Sequence, residues 1–208
     1  MKKREFFNYE NPKFFALRDP MREVIRAYWA AMQYYASIKE IVWGRYGMAY
    51  LSDSLHTMEH KQPEYIDQFS AIMRQQGLEI EYPSVPELDE LLDSLDEVFR
   101  VCIELNDNVD KALQRFINVA DRKENEVGGV PSQSQGHFPG LARQVESLQI
   151  ENSKDRKKLL ESWSMWDNGS SMSSFDKWVK SIYDLPDNGE EDLSLIHISE
   201  PTRHSLIS

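Results

Sequence analysis

ELDELLDSLDEVFRVCIELNDNVDKALQRFINVADRKEN, residues 87–125, sets Leu88, Leu91, Leu95, Val98, Cys102, Leu105, Val109, Ala112, Phe116 and Ala120 at intervals of three or four. That interval lines them along one side of an α-helix, and nowhere does the stretch alternate as a half-buried strand would. At 1.5 Å per residue the expected rod is on the order of 55 Å long. Asn106-Asp107-Asn108 is its weak point, three poor helix formers near the middle.

The same period recurs on both sides. Val24, Tyr28, Ala31, Met32, Tyr35, Ile38 and Val42 predict a helix from about Met21 to Trp43, with Trp29, Tyr34 and Ile41 off that stripe. A helix apolar around so much of its girth calls for cover on several sides, from partner helices or a second subunit. Gly44-Arg45-Tyr46-Gly47 ends it. Met48, Leu51, Leu55, Met58, Ile66, Phe69 and Met73 then predict a helix from Met48 to Gln76, kinked or restarted at Pro63 and closed by Gly77. Pro83 and Pro86 mark a linker from about Leu78 to Pro86. After a Gly-, Ser- and Pro-rich loop, 127–140, a fourth helix is expected from Leu141 to Trp166. Asn152 and Asp155 lie on its apolar stripe. They call for a buried polar layer shared with Asn106 or Asp110, or for a break in the helix. A short helix from Phe175 to Tyr183 completes the reading.

The expected fold is therefore all-α: an antiparallel four-helix bundle over 21–166, an N-terminal arm over 1–20, and a linker with a short C-terminal fifth helix over 167–192. The arm is rich in aromatics (Phe6, Phe7, Tyr9, Phe14, Phe15), and Asp19-Pro20 reads as the start of the first helix. Residues 193–208, LSLIHISEPTRHSLIS, closely resemble the peptide obtained when a sequencing-adapter read is translated into a metagenomic gene model. They are set aside from the fold, and His197 and His204 with them.

Composition narrows the function classes. With 24 basic and 35 acidic residues the net charge is −11, which disfavours nonspecific attachment to nucleic acid or anionic membrane. The exception is the basic start, Lys2-Lys3-Arg4, which could touch phosphate. The single cysteine, Cys102, cannot form an internal disulfide and reads as a small buried hydrophobe. No apolar run approaches a membrane span, and no signal peptide is read at the start. The expected setting is cytoplasmic.

The helix order resembles that of the ferritin-like bundle. Around the first turn the chain is similar to the Dps mini-ferritins in particular. Val42-Trp43 stands where that family has a His-Trp pair, Gly44 to Gly47 matches its turn, and Tyr65-Ile66-Asp67-Gln68-Phe69 leading to Gly77 matches the end of its second helix. The resemblance implies self-assembly, iron binding or storage, and DNA protection. It also implies an oxidation site between subunits built from His, Asp and Glu. Those positions are Val42, Asp67 and Ala71 here, so the implied site is degenerate.

Other ligand candidates come from the residues themselves. Asp53 and His56 are i,i+3 and His56 and His60 are i,i+4 on the second helix, with Glu59 between them. Glu40 stands about as far before the turn as Asp53 stands after it. Glu40, Asp53, His56 and Asp67 are thus the candidate metal ligands, for iron if any, with Glu104 and Asp155 available on later helices. The fourth helix has no histidine, so a complete di-metal centre lacks a ligand type. The competing reading makes these groups a solvated face backed by Leu51, Leu55 and Met58. Three functions follow in order: a Dps-like self-assembling bundle with a degenerate oxidation site, a non-catalytic structural or protein-binding bundle, and a di-metal carboxylate enzyme. No catalytic residue is assigned.

Overall fold

A computed structural model describes residues 12–78, 80–85, 92–121 and 139–185. Lys2, Lys3 and Arg4, the aromatics from Phe6 to Tyr9, Leu88 and Leu91, the loop up to residue 138 and the tail 193–208 lie outside the described residues. Within them the chain is helical, with no strand: α1 (Pro12–Ile41), a π-helical turn (Val42–Tyr46), α2 (Ala49–Gln75), α3 (Leu95–Ala120), α4 (Pro139–Asp167) and α5 (Met172–Tyr183).

α1 begins earlier than its pattern suggests. Pro20 lies inside it, and Asp19 is exposed in mid-helix rather than at a cap. Proline removes one backbone donor. Leu17, Pro20 and Met21 are all buried, and burying them offsets that loss. α2 likewise runs unbroken through Pro63. Gly47 takes the left-handed conformation (φ 64°) that closes the π turn, and its N–H donates to Trp43 O. Gly77 (φ 77°) does the same after α2, where Leu78 N–H reaches back to Met73 O.

α3 is shorter than expected, 26 residues, or roughly 39 Å at 1.5 Å each. A capping box starts it. Ser94 Oγ accepts from Glu97 N–H, and Glu97 Oε2 accepts from Ser94 N–H. Just upstream, Leu92 C=O is taken by Arg45 Nη1 (2.6 Å) and Tyr46 OH (3.2 Å). Both contacts hold this segment against the end of α1 and set the helix start at Leu95. Asn106-Asp107-Asn108 does not interrupt α3, because Asn106 is hydrogen-bonded inside the core.

Named contacts fix the helix directions. Tyr28 meets Tyr65 and Lys39 meets Glu59, so α1 and α2 run antiparallel. Glu23 pairs with Arg115 and Tyr35 bonds Cys102 O, so α1 and α3 do too. Gln149 reaches Asp110 and Trp163 reaches Asp96, so α3 and α4 do as well. α2 and α3 consequently run parallel. The described parts of the connection between them lie along α1: Glu81 pairs with Arg18 and Arg22 near its start, Tyr82 packs edge-on against Trp29, and Leu92 is held at its end. Tyr82 supplies part of the cover that Trp29 requires.

α2 also packs on α4, and α5 packs on α2 and α4. Phe69 and Phe116 meet edge-to-face at 5.3 Å in the interior, a pair worth about 0.5–1.5 kcal/mol beyond its area. Asp176 of α5 accepts from the N–H groups of Tyr50 and Leu51 in the first turn of α2. No described helix is long and apolar enough to cross a membrane.

Candidate functional site

Two clusters of polar side chains stand out. The first is internal. Asn152 of α4 donates to Asn106 C=O of α3 at 2.9 Å. Asn106 Nδ2 donates to Tyr35 OH and to Cys102 C=O, and Tyr35 OH donates to Cys102 C=O at 3.3 Å. One turn along α4, Asp155 is only 5% exposed. Lys61 Nζ reaches its Oδ1 at 2.6 Å and Tyr65 OH its Oδ2 at 3.2 Å. α1, α2, α3 and α4 all contribute, so the two polar residues on the α4 stripe do form a shared layer. The expected partner Asp110 instead lies toward the surface, where Gln149 donates to it.

The layer is chemically quiet. Burial pushes the hydroxyls of Tyr28, Tyr35 and Tyr65 above their ordinary value, and at Tyr65 the nearby Asp155 carboxylate adds to it. Burial likewise pushes the Cys102 thiol up, which keeps it from being a nucleophile. Tyr28 OH and Ser70 Oγ are buried without a hydrogen-bond partner.

The second cluster lies on the surface of α2. His56, Glu59 and His60 bring one ligand atom each to within 4.8 Å of one another. It is the group of three His, Cys, Asp or Glu ligands found among the described residues. Lys39 of α1 reaches into it, 2.7 Å from Glu59 Oε2 and 2.8 Å from His56 Nδ1. Partial burial pushes the Glu59 carboxyl up, but the hydrogen bonds and charges of Lys39 and His56 outweigh this and hold it below the ordinary carboxylate value.

Of the candidate metal ligands, His56 alone joins this group. Glu40 and Asp67 are exposed, Asp53 is half-buried, and none of the three belongs to this group of three. A helix makes the reason plain. His56, Glu59 and His60 share one face, whereas Asp67 falls beyond reach along α2. Glu104 pairs with Arg100 on its own helix. Val42 is fully buried, and Ala71 is half-buried. The missed partner is Lys39, which no spacing within α2 could reveal.

A groove of about 490 Å³ lies between α1 and α3, with Ala27, Ala30 and Ala112 in its lining and the exposed cations Arg26, Lys111 and Arg115 beside them. Trp43, in the π turn, is 56% exposed. No family model, curated protein or solved structure matches this chain.

Proposed function

We propose that this chain is a ferritin-like four-helix bundle that has kept the packing and lost the metal chemistry, and that it acts as a structural or protein-binding module. The helix packing supports the architecture: α1 and α4 lie across the core from one another, as do α2 and α3, and one long crossover links the two parallel helices.

One observation carries the functional reading. A ferritin-like di-metal centre needs inward carboxylates from all four helices, two of them followed by histidine. The middle of this bundle holds Tyr28, Tyr35, Tyr65, Asn106 and Asn152, with Asp155 the one buried carboxylate among the described residues. Both oxygens of Asp155 are engaged by Lys61 and Tyr65, and an ammonium beside a carboxylate fills the position of a cation. The family's inter-subunit positions fare no better, since Val42 offers no ligand atom and is buried in its own core. The groove between α1 and α3, where Glu23 pairs with Arg115 and Arg26 and Lys111 leave an excess of positive charge, suits an acidic partner with an apolar face.

Aerobic addition of ferrous iron tests this. Oxidation followed by ultraviolet absorbance should run no faster than in buffer. Fast oxidation abolished by Asp155→Asn would place a working centre in the polar layer and end the proposal.

A second reading, Dps-type self-assembly, is favoured by Trp43. This large side chain is mostly exposed at the position matched to the family's His-Trp pair, and a neighbouring subunit would cover it. Light scattering should then report a homo-oligomer that Trp43→Glu dissociates. A monomer at tens of micromolar would refute this reading.

A further inference from the structure

His56 and His60 stand one turn apart on α2, their rings perpendicular and their centroids 4.3 Å apart. Glu59 completes a set of two imidazoles and one carboxylate within 4.8 Å. Ligands bound to zinc at about 2.0–2.1 Å in a tetrahedron lie roughly 3.4 Å from one another. Exposed side chains close that difference by rotating. Imidazole with one carboxylate is a donor set for borderline divalent ions, rather than for calcium or magnesium.

Lys39 adds the distinguishing feature. Its ammonium stands 2.7 Å from Glu59 Oε2 and 2.8 Å from His56 Nδ1. It donates to Glu59 Oε2, and in the tautomer that leaves His56 Nδ1 unprotonated it donates there too, so it occupies the lone pairs that a metal ion would take; in the other tautomer Nδ1 donates to Glu59 Oε2 at 3.1 Å. It also comes from α1, whereas the three ligands come from α2.

We propose that His56, Glu59 and His60 form a surface site for a zinc-class divalent ion, with Lys39 as a built-in competitor that holds the carboxylate and one imidazole nitrogen in the metal-free protein. Binding moves Lys39 out into solvent and exchanges an α1–α2 ion pair for a site contained in α2. Water completes the coordination, since three protein ligands leave a position open. The site lies wholly on α1 and α2 and does not depend on the chain being ferritin-like or non-catalytic.

The test is calorimetric titration of the full, untagged chain with zinc chloride. The expected result is a binding event of one zinc per chain, weakened at least ~10-fold by His56→Ala or by His60→Ala. Lys39→Met should tighten it several-fold. The visible absorption of cobalt(II) in place of zinc reports nitrogen coordination independently, and circular dichroism checks that each variant stays helical. His137, His197 and His204 remain in every variant, so they control for adventitious imidazole binding. Absence of zinc binding, or binding unchanged in the His56→Ala/His60→Ala double variant, overturns the site. Binding that depends on both histidines but ignores Lys39→Met overturns the competition.

Discussion

Asp176 of α5 caps α2 from another helix: its carboxylate accepts from Tyr50 N–H at 3.3 Å and from Leu51 N–H at 2.9 Å. The residue at the N-cap position itself, Met48, offers no side-chain hydrogen bond. The first turn of a helix leaves its N–H groups unsatisfied and carries partial positive charge. A carboxylate delivered there answers both, and it fastens α5 to the rest of the protein.

Asp176→Ala should therefore cost about 1–2 kcal/mol, the usual worth of a good N-cap. Asp176→Asn should cost less, because an amide oxygen still accepts. Urea denaturation measures both. An alanine variant as stable as the parent would show that water caps α2 equally well.

Asp155, paired with Lys61, is the most buried carboxylate in any of the described ion pairs, its side chain 7% exposed. Lys61→Met leaves the Asp155 carboxylate with Tyr65 OH as its remaining partner and should destabilise by ~1–3 kcal/mol, less than loss of a fully buried partner because Lys61 is itself partly exposed. Adding Asp155→Leu removes the stranded charge and should recover most of the loss. A double variant no better than the single would mean that the pair stabilises by more than charge compensation.

Ser94→Ala breaks the capping box at the start of α3 and should cost on the order of 1 kcal/mol. Glu97→Ala should cost a similar amount, since Glu97 Oε2 also accepts from Asp93 N–H at 2.7 Å. Melting curves of the two variants should nearly coincide with that of the double variant, because either change dismantles one reciprocal unit.

Burial raises the hydroxyls of Tyr28, Tyr35, Tyr65 and Tyr183 above the ordinary value of 10.0. The folded protein keeps these protons at a pH where the unfolded chain releases them. Their contribution to stability is complete below pH 10 and is lost as pH rises beyond it. In an alkaline titration read by tyrosinate absorbance, these four of the nine tyrosines should ionise late and together with the loss of helical signal. Smooth ionisation of all nine while the helices persist would contradict the packing of the layer.

Helix existence was legible in the sequence because burial on one side imposes a period of 3.6, and each long stretch carried it. The polar residues behind the layer were legible for the same reason, since Asn152 and Asp155 interrupt an apolar stripe, but the stripe alone left a shared layer and a helix break as alternatives. Boundaries were less so. Pro20 and Pro63 looked like breaks, yet flanking burial carried the helices through them. The stripe from Leu88 suggested a longer α3, yet the Ser94–Glu97 box and the contacts on Leu92 C=O set its start. What only the tertiary structure decided is which side chains meet across elements. Sequence spacing determines neighbours within one helix, and His56, Glu59 and His60 could be paired that way. Lys39 against Glu59, Lys61 against Asp155 and Asp176 against the first turn of α2 depend on how separate helices dock. That docking is set by the packing of the whole core, which no local period encodes.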